Sequence, residues 1–252
     1  MAIRWLIILV LCPLLSAQEL SQYDIHRATS PIVIDGKLDE AAWRDAPSVG
    51  EFHPFRGEAR VRQQTVAKLA WDDENLYVGY YCIDKKISAY VTERNGPVSR
   101  DDCVEVFIGP NPAKVRNYYT FEINAIGAML NRARTDWWNG PPFWDPDGVR
   151  YRATWQGQAK KNPTADDDHW ILEMAVPFRN FAKDAAHTPP HDGDEWRLNL
   201  NRLEGVSKDH QQEKGVIRRG LSTWSPLPPE LRSFHSPEWF GRVRFVDRTP
   251  LR

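Results

Sequence analysis

The sequence has little net charge, little cysteine and no common catalytic motif, and each of these shortages excludes a class of function. Lys and Arg total 33 against 34 Asp and Glu, a formal net charge of −1 over 252 residues. Binding to a nucleic-acid backbone needs a clustered basic excess, so that class is excluded. The three cysteines have no zinc-site or redox C-x-x-C spacing. G-x-S-x-G, H-E-x-x-H and Walker sequences are missing, so the corresponding hydrolase, metalloprotease and nucleotide chemistries lack a motif.

Long hydrophobic runs are absent beyond the first 17 residues. There, Arg4 precedes an apolar run from Trp5 to Leu15, which ends in small residues at Ser16-Ala17. This pattern predicts a signal peptide over 1–17, cleaved after Ala17. The run is too short to cross a bilayer, which takes about 20 apolar residues. We therefore expect a secreted or periplasmic mature chain, 18–252, with no membrane span.

Two cysteines remain after the predicted cleavage, Cys82 and Cys103. Each lies in a strand-like run, and in an exported protein the two can form one disulfide. That pairing requires neighbouring strands with Cβ atoms about 4 Å apart. The alternative is two buried thiols that behave as small hydrophobic side chains. The sequence leaves both possibilities open.

Strands dominate what the sequence does contain. Apolar and polar residues alternate over three segments, at 118–125, 169–176 and 196–201. This period of two indicates strands with one face in a core. The runs 64–71 and 76–83 are separated by Asp72-Asp73-Glu74-Asn75, a hairpin turn signal. Further strands are predicted at 31–35, 103–108, 129–134, 150–157 and 242–246.

Helical pattern is confined to two short segments, Leu38 to Arg44 and Phe178 to Lys183. The 19 Pro and 15 Gly fall mostly between the strand runs, in 136–148, 184–194 and 224–237. The sequence therefore predicts an all-β fold in a single domain over 18–252. We expect an antiparallel two-sheet β-sandwich of immunoglobulin-like type, with about ten strands, long loops and one or two short helices.

Tryptophan is abundant, with 11 residues in the chain. Helix or strand patterns account for Trp43, Trp71, Trp155, Trp170 and Trp196. The Gly- and Pro-rich loop 136–145 carries Trp137, Trp138, Phe143 and Trp144. One interpretation is that these rings form platforms for a ligand, because large exposed apolar patches usually have a use. The other is that they fold back and fasten the loop to the sandwich.

Four segments in order carry a family resemblance: Ile34–Trp43, Trp71–Val78, Asp102–Ile108 and Phe240–Val243. Together they resemble the family 9 carbohydrate-binding modules, β-sandwiches related to DOMON domains. The resemblance covers nearly all of the mature chain. It implies a secreted, non-catalytic sugar binder with a part in polysaccharide catabolism. Such modules are often attached to, or encoded with, glycoside hydrolases.

The resemblance also implies a site. Sugar-binding members hold a terminal sugar between two Trp, helped by a Glu in the D-x-V-E segment and an Arg on the following strand. That Glu corresponds to Glu105. The first Trp is missing, since its place falls near Val98-Ser99, and the second place is occupied by Phe234. Glu122 stands where the Arg would be.

The residues themselves indicate a polar sheet face. Glu105, Glu122 and Asn124 alternate with apolar neighbours and so point away from the core of their strands. Sugars present flat C–H faces and a rim of hydroxyls, which aromatic rings and carboxylates or amides recognise. The alternative is an ordinary solvated face. The predicted polysaccharide- or oligosaccharide-binding residues are Glu105, Glu122, Asn124, Trp137, Trp138, Trp144, Trp224, Phe234 and His235.

His235 has two interpretations of its own. It can donate to a sugar hydroxyl, or it can satisfy a buried backbone carbonyl. Acidic turns offer oxygen ligands for a structural Ca²⁺, and the candidates are Asp72, Asp73, Asp101 and Asp102. No other cofactor is expected.

Two alternative functions follow from other residues. Glu105 and Glu122 can serve as the carboxylate pair of a glycoside hydrolase, provided that their separation fits. The DOMON relationship implies a haem-binding electron-transfer domain, for which Met129 and Met174 are the available methionine ligands. Met174 alternates with Leu172 and Val176, which favours a place in the core.

Overall fold

The computed structural model describes residues 19–55, 60–61, 63–137, 143–161, 163–204 and 220–247. Twelve strands lie in these ranges: β1 Gln22–His26, β2 His53–Pro54, β3 Thr65–Trp71, β4 Asn75–Ile83, β5 Cys103–Gly109, β6 Tyr118–Asn124, β7 Met129–Arg134, β8 Arg150–Gln156, β9 His169–Pro177, β10 Glu195–Leu203, β11 Leu221–Thr223 and β12 Gly241–Val246. Helix α1 spans Ala41–Asp45, and short 3-10 turns lie at Val98–Arg100, Phe178–Phe181 and Pro237–Trp239. Within these ranges, no helix is long and apolar enough to cross a membrane.

The strands form two sheets. Sheet A has the order β1-β12-β10-β5-β6-β7, and β11 extends it by pairing with β10 and with β2. Sheet B has the order β3-β4-β9-β8. The strands pair antiparallel except for β1 and β12, which run parallel. The predicted all-β sandwich is therefore confirmed, with one parallel pair at its edge.

The core lies between the sheets and follows the alternation of the sequence. On β9, Trp170, Leu172, Met174 and Val176 all point inward and are buried. Met129 belongs to the same core, so both methionines considered as haem ligands are packed inside the sandwich. Period-two alternation places every second side chain on the inner face, which is why these strands are predictable from sequence.

Helix α1 packs on the outer face of sheet B, where one carboxylate of the sheet bonds to the helix and to the turn that precedes it. Glu173 on β9 accepts hydrogen bonds from Trp43 Nε1 at 2.7 Å, from the Gly36 N–H at 2.8 Å and from the Asp35 N–H at 2.9 Å. Gly36 has a φ of +83°, and a Cβ there would lie 2.6 Å from the Thr154 methyl. The helix begins later than predicted because Leu38 adopts a left-handed φ of 57°.

The two cysteines do not form the disulfide that the sequence left possible. Cys82 lies on β4 of sheet B and faces the core between the sheets, whereas Cys103 faces the opposite side of sheet A. Sheet A thus separates the two thiols. Burial raises the pKa of the Cys82 thiol to about 11, as expected for a buried, inert side chain.

Candidate functional site

The outer face of sheet A, which points away from sheet B, carries a row of polar and aromatic side chains. Cross-strand register aligns Asn201, Glu105 and Glu122 on β10, β5 and β6. Two residues further along the strands, the register aligns Asn199, Phe107, Thr120 and Arg132. Two residues beyond these, Tyr118 on β6 pairs with Arg134 on β7. Directly paired residues project to the same side of a sheet, so these side chains share one surface. We call this surface the polar face.

Two carboxyl groups lie side by side at the centre of the polar face. Glu105 and Glu122 are direct cross-strand partners, which sets their Cβ atoms about 4.5–5.5 Å apart. The sequence predicted that the two would share a face if their strands were neighbours, and the register meets that condition. Both side chains are buried, with 4% and 7% of their surface exposed, so the face is not an ordinary solvated one.

The two carboxyl groups have different surroundings. Glu105 Oε2 accepts a hydrogen bond of 3.1 Å from Asn201 Nδ2. Burial raises the pKa of Glu122 to about 7, against the opposing charges of Arg132 and Arg134. At neutral pH Glu122 therefore populates both protonation states and can donate as well as accept a hydrogen bond.

Two buried oxygen atoms beside the carboxyls have no hydrogen-bond partner among the described residues. These are the hydroxyl of Thr120 and the amide oxygen of Asn201, whose side chains are fully buried. Buried polar atoms in native proteins nearly always have hydrogen-bond partners. Both atoms therefore lack the hydrogen-bond partner that a hydroxyl group or a water molecule would supply.

His235 lies over the polar face from the C-terminal loop. Its ring stacks on Phe107 with centroids 4.8 Å apart, and Nδ1 lies 3.1 Å from the Tyr118 hydroxyl. It contacts this hydroxyl rather than a backbone carbonyl. Burial, together with Arg134 and Arg132, lowers the pKa of His235 to about 4, so the imidazole is neutral at neutral pH.

Phe234 lies in the apolar cluster that borders the polar face, 7% exposed. Its ring packs against Phe55, with centroids only 4.6 Å apart. A sugar ring does not fit between aromatic rings at that distance. Any stacking by Phe234 therefore uses its other face or requires Phe55 to move.

The rim of the polar face contains residues that the sequence did not single out. Arg132 and Arg134 project from β7, and the Arg132 guanidinium lies 4.8 Å from the centroid of the Phe143 ring. Alternation within 129–134 showed that both arginines share one face. It did not show that this face adjoins Glu122.

The described tryptophans of the 136–145 loop pack on the opposite side of sheet A. Trp144 is buried against Tyr119 and Phe121, with centroids 4.8 and 5.9 Å away. Trp137 Nε1 donates to Asp184 at 2.7 Å, and Lys183 Nζ lies 4.2 Å from its ring centroid. These contacts fasten the loop to the inter-sheet core, which agrees with the second interpretation of the loop aromatics, and a ligand-binding role for Trp137 and Trp144 stays a prediction. Trp138 lies outside the described residues.

Two other predicted site residues also have structural roles. Trp224 is 1% exposed, and its indole donates to the Val49 carbonyl at 2.8 Å. Asn124 does lie on the polar face, but its amide donates to the Val91 carbonyl and to Asp101 and accepts from the Ala128 N–H. The polar groups of both side chains are thus already engaged by the protein, and their role in ligand binding stays a prediction.

The four acids proposed as calcium ligands also bond to the protein. Asp72 accepts the Glu74 and Asn75 N–H groups and the Tyr77 hydroxyl, and thereby closes the β3–β4 hairpin. Asp73 pairs with Arg27 at 2.9 Å. The carboxylates before β5 accept backbone N–H groups, from Tyr90 and Val91 at Asp101 and from Ser88 at Asp102. All four carboxylates thus have protein partners, and a structural Ca²⁺ at these acids stays a prediction.

Comparison with solved structures finds the same architecture in sugar-binding domains. A Bacteroides uniformis protein described as a candidate carbohydrate-binding protein matches with a TM-score of 0.65 and 19% identity, over 90% of this chain and all of its own. A family 9 module from Caldicellulosiruptor kristjanssonii, solved with cellotriose, matches with a TM-score of 0.62 and 16% identity, over 90% and 94% of the two chains. A second structure of such a module from that organism, with glucose, has a TM-score of 0.60 and 16% identity, over 89% and 96%. The TM-scores establish a shared fold, and at these low identities the likeness extends to the fold alone.

The sequence comparisons assign the family. No curated protein sequence matches the chain. The profile described as Carbohydrate-binding family 9 matches residues 58–245, which include the strands β3 to β11 and almost all of β12. Since that match covers most of its length, this chain belongs to carbohydrate-binding family 9.

Proposed function

We propose that this chain is an exported, non-catalytic module that binds an oligosaccharide or polysaccharide on the polar face of sheet A. The observation that carries the proposal is the buried Glu105–Glu122 pair beside two oxygens, on Thr120 and Asn201, that have no partner in the described part of the chain. Export rests on the signal-peptide pattern of residues 1–17. A role in polysaccharide catabolism beside a glycoside hydrolase is part of the proposal and follows from the family.

The chemistry of the polar face suits a sugar. Carboxyl, amide and hydroxyl groups can bond a rim of sugar hydroxyls, and bonds to charged groups contribute about 1.5–3 kcal/mol each. The neutral imidazole of His235 adds one further donor or acceptor at Nε2, because Nδ1 already contacts the Tyr118 hydroxyl. The Phe143 ring supplies apolar surface for the C–H face of a sugar. Arg132 and Arg134 add donors at the rim.

Binding measurements on the full mature chain test the site. Cellotriose and glucose are the first probes, because the similar modules from Caldicellulosiruptor kristjanssonii were solved with them. A wider glycan panel follows, with and without a calcium chelator, which also tests a structural Ca²⁺. For any glycan that binds, Glu105→Gln is expected to weaken the affinity at least tenfold in calorimetric titration, because a charge-assisted hydrogen bond is lost.

Two further variants test whether the glycan binds on the polar face rather than elsewhere on the sandwich. Phe143→Ala is expected to weaken binding severalfold, as an aromatic contact is worth about 0.5–1.5 kcal/mol. Trp137→Phe is the matched control, since it changes an aromatic of the same loop that packs on the other side of sheet A. Unchanged affinity for Glu105→Gln, or a loss confined to Trp137→Phe, would contradict the assignment.

Glycoside hydrolysis is the second candidate. The adjacent carboxyls and the pKa of about 7 for Glu122 favour it, because a general acid needs a raised pKa and retaining enzymes hold their carboxyls about 5–5.5 Å apart. Incubating the bound glycan with the protein and analysing the products distinguishes the two functions. Turnover that disappears in Glu122→Gln would establish an enzyme. An intact glycan would establish a binding module.

A further inference from the structure

A cluster of metal-ligand side chains lies away from the polar face, on the loop that precedes β10. His187, His191 and Asp194 each offer one ligand atom, and these atoms all lie within 4.8 Å of one another. We propose that the three side chains bind a divalent transition-metal ion, for which Zn²⁺ is the probe. The family assignment plays no part in this proposal.

The geometry already brings the donors together. The two imidazole rings are stacked, with centroids 3.8 Å apart and an interplanar angle of 18°. His187 Nδ1 lies 2.9 Å from Asp194 Oδ2. Zinc binds nitrogen and oxygen ligands at about 2.0–2.2 Å, so ligand atoms around it are roughly 3.3 Å apart. Both histidines are exposed, so their side chains have room to rotate towards an ion.

The donor set selects the kind of metal. Imidazole nitrogen suits zinc, copper and nickel, whereas calcium takes six to eight oxygen ligands. Two imidazoles and one carboxylate therefore favour a transition metal over Ca²⁺. Three protein ligands leave a fourth position on zinc for water.

The backbone around the cluster is held in place before any ion binds. Asp194 Oδ2 accepts the His191 N–H at 2.8 Å, and the Asp194 N–H donates to the His191 carbonyl at 3.0 Å. The turn is tied to β12, because Gly193 donates to the Phe245 carbonyl and Phe245 donates to the Asp194 carbonyl. A fixed backbone lowers the entropy lost when the side chains converge on a metal.

The position of the cluster predicts a structural effect. Asp194 directly precedes β10, seven residues before Asn201, which corresponds to roughly 20 Å along the strand. A metal there would fasten the 184–194 loop to the β10–β12 side of sheet A, far from the polar face. Metal binding is therefore expected to raise thermal stability without changing glycan affinity.

Metal titration of tag-free protein, stripped with a chelator, tests the proposal. Equilibrium dialysis and calorimetry with Zn²⁺ are expected to show a single ion per chain. His187→Asn and His191→Asn should each weaken binding at least tenfold, and both side chains are exposed, so the variants should fold. His169→Asn is the matched control, because His169 Nδ1 pairs with Asp168 at 2.8 Å but lacks a second imidazole.

Thermal unfolding supplies a second readout. Zn²⁺ at a hundredfold excess over its Kd is expected to raise the Tm by about 5 °C or more, whereas Ca²⁺ should not. The rise should vanish in His187→Asn and persist in His169→Asn. The proposal is overturned if the wild-type chain binds no stoichiometric Zn²⁺. It is equally overturned if His187→Asn and His191→Asn bind Zn²⁺ as tightly as the wild type.

Discussion

Replacing Arg202 with methionine is expected to lower the free energy of unfolding by about 3–5 kcal/mol. Arg202 lies on β10 with 1% of its side chain exposed. Its guanidinium bonds Asp84 and lies 3.5 Å from Asp102, and it stacks over the Trp170 ring at 4.8 Å. Asp84 follows β4 of sheet B and Asp102 precedes β5 of sheet A, so this ion pair network joins the two sheets.

The size of the loss follows from burial. The side chains of Asp84 and Asp102 are 0% and 2% exposed, so removing Arg202 takes away a cation that both buried carboxylates contact. An uncompensated buried charge is much more costly than a broken surface pair. Adding Asp84→Asn to the Arg202→Met variant is therefore expected to recover part of the loss.

Urea unfolding at neutral pH measures this effect, with Arg244→Met as the matched control. Arg244 makes a two-pronged ion pair with Asp24 at the surface, where both side chains are about half exposed. Such pairs contribute about 0–1 kcal/mol. Equal losses for Arg202→Met and Arg244→Met would show that the buried network is not needed to hold the sheets together.

The stability of the protein is also expected to depend on pH through Glu122. Glu122→Gln is expected to stabilise the protein by up to about 3 kcal/mol at pH 8 and hardly at all at pH 4. Burial raises the pKa of Glu122 from 4.5 to about 7. Between these pH values the folded chain retains a proton that the unfolded chain has released. The free energy of unfolding therefore falls as the pH rises from 4.5 to 7, and the amide variant removes that fall.

His235 contributes the opposite slope. Its pKa falls from 6.5 to about 4 in the folded chain, so the stability of the neutral form is fully present above pH 6.5 and is lost as the pH drops towards 4. The Glu122 and His235 contributions therefore oppose each other in the wild type between pH 4.5 and 6.5. Relative to the wild type, unfolding free energies should rise more steeply with pH in Glu122→Gln, and fall with pH in His235→Gln.

Urea unfolding at several pH values from 4 to 8 measures both slopes. Glu195→Gln, an exposed carboxylate at the start of β10, is the control and should follow the wild-type profile. If the Glu122→Gln profile runs parallel to the wild type, burial does not hold the proton on Glu122. The polar face would then present an ionised Glu122 carboxylate to a ligand at neutral pH.

The local sequence pattern was enough to predict the strands and the outward orientation of Glu105 and Glu122. Alternation over 118–125 and 169–176 predicts two strands whose inner and outer side chains the structure reproduces. The same alternation placed Glu105 and Glu122 on the outward side of their own strands. Period two is a property of a few consecutive residues, so a sequence carries it without knowledge of the fold.

The loop aromatics could not be placed in that way. Residues 136–145 have no periodicity, so the local sequence does not indicate which side of sheet A their aromatic rings cover. Trp144 and Trp137 pack on the inner side, whereas Phe143 contacts Arg132 on the outer side. The energy of a large ring is set by the cavity that receives it, and that cavity exists only after the strands have assembled.

The sequence by itself determined an all-β sandwich and a polar face built around Glu105. Only the tertiary structure decided what surrounds that pair, because His235 reaches Phe107 and Arg132 reaches Phe143 through contacts that no local pattern encodes. The same holds for the buried contact of Arg202 with Asp84, 118 residues away along the chain. Strand-forming tendency is a short-range property, whereas burial and the pKa shifts that follow from it depend on segments that meet only in the folded chain.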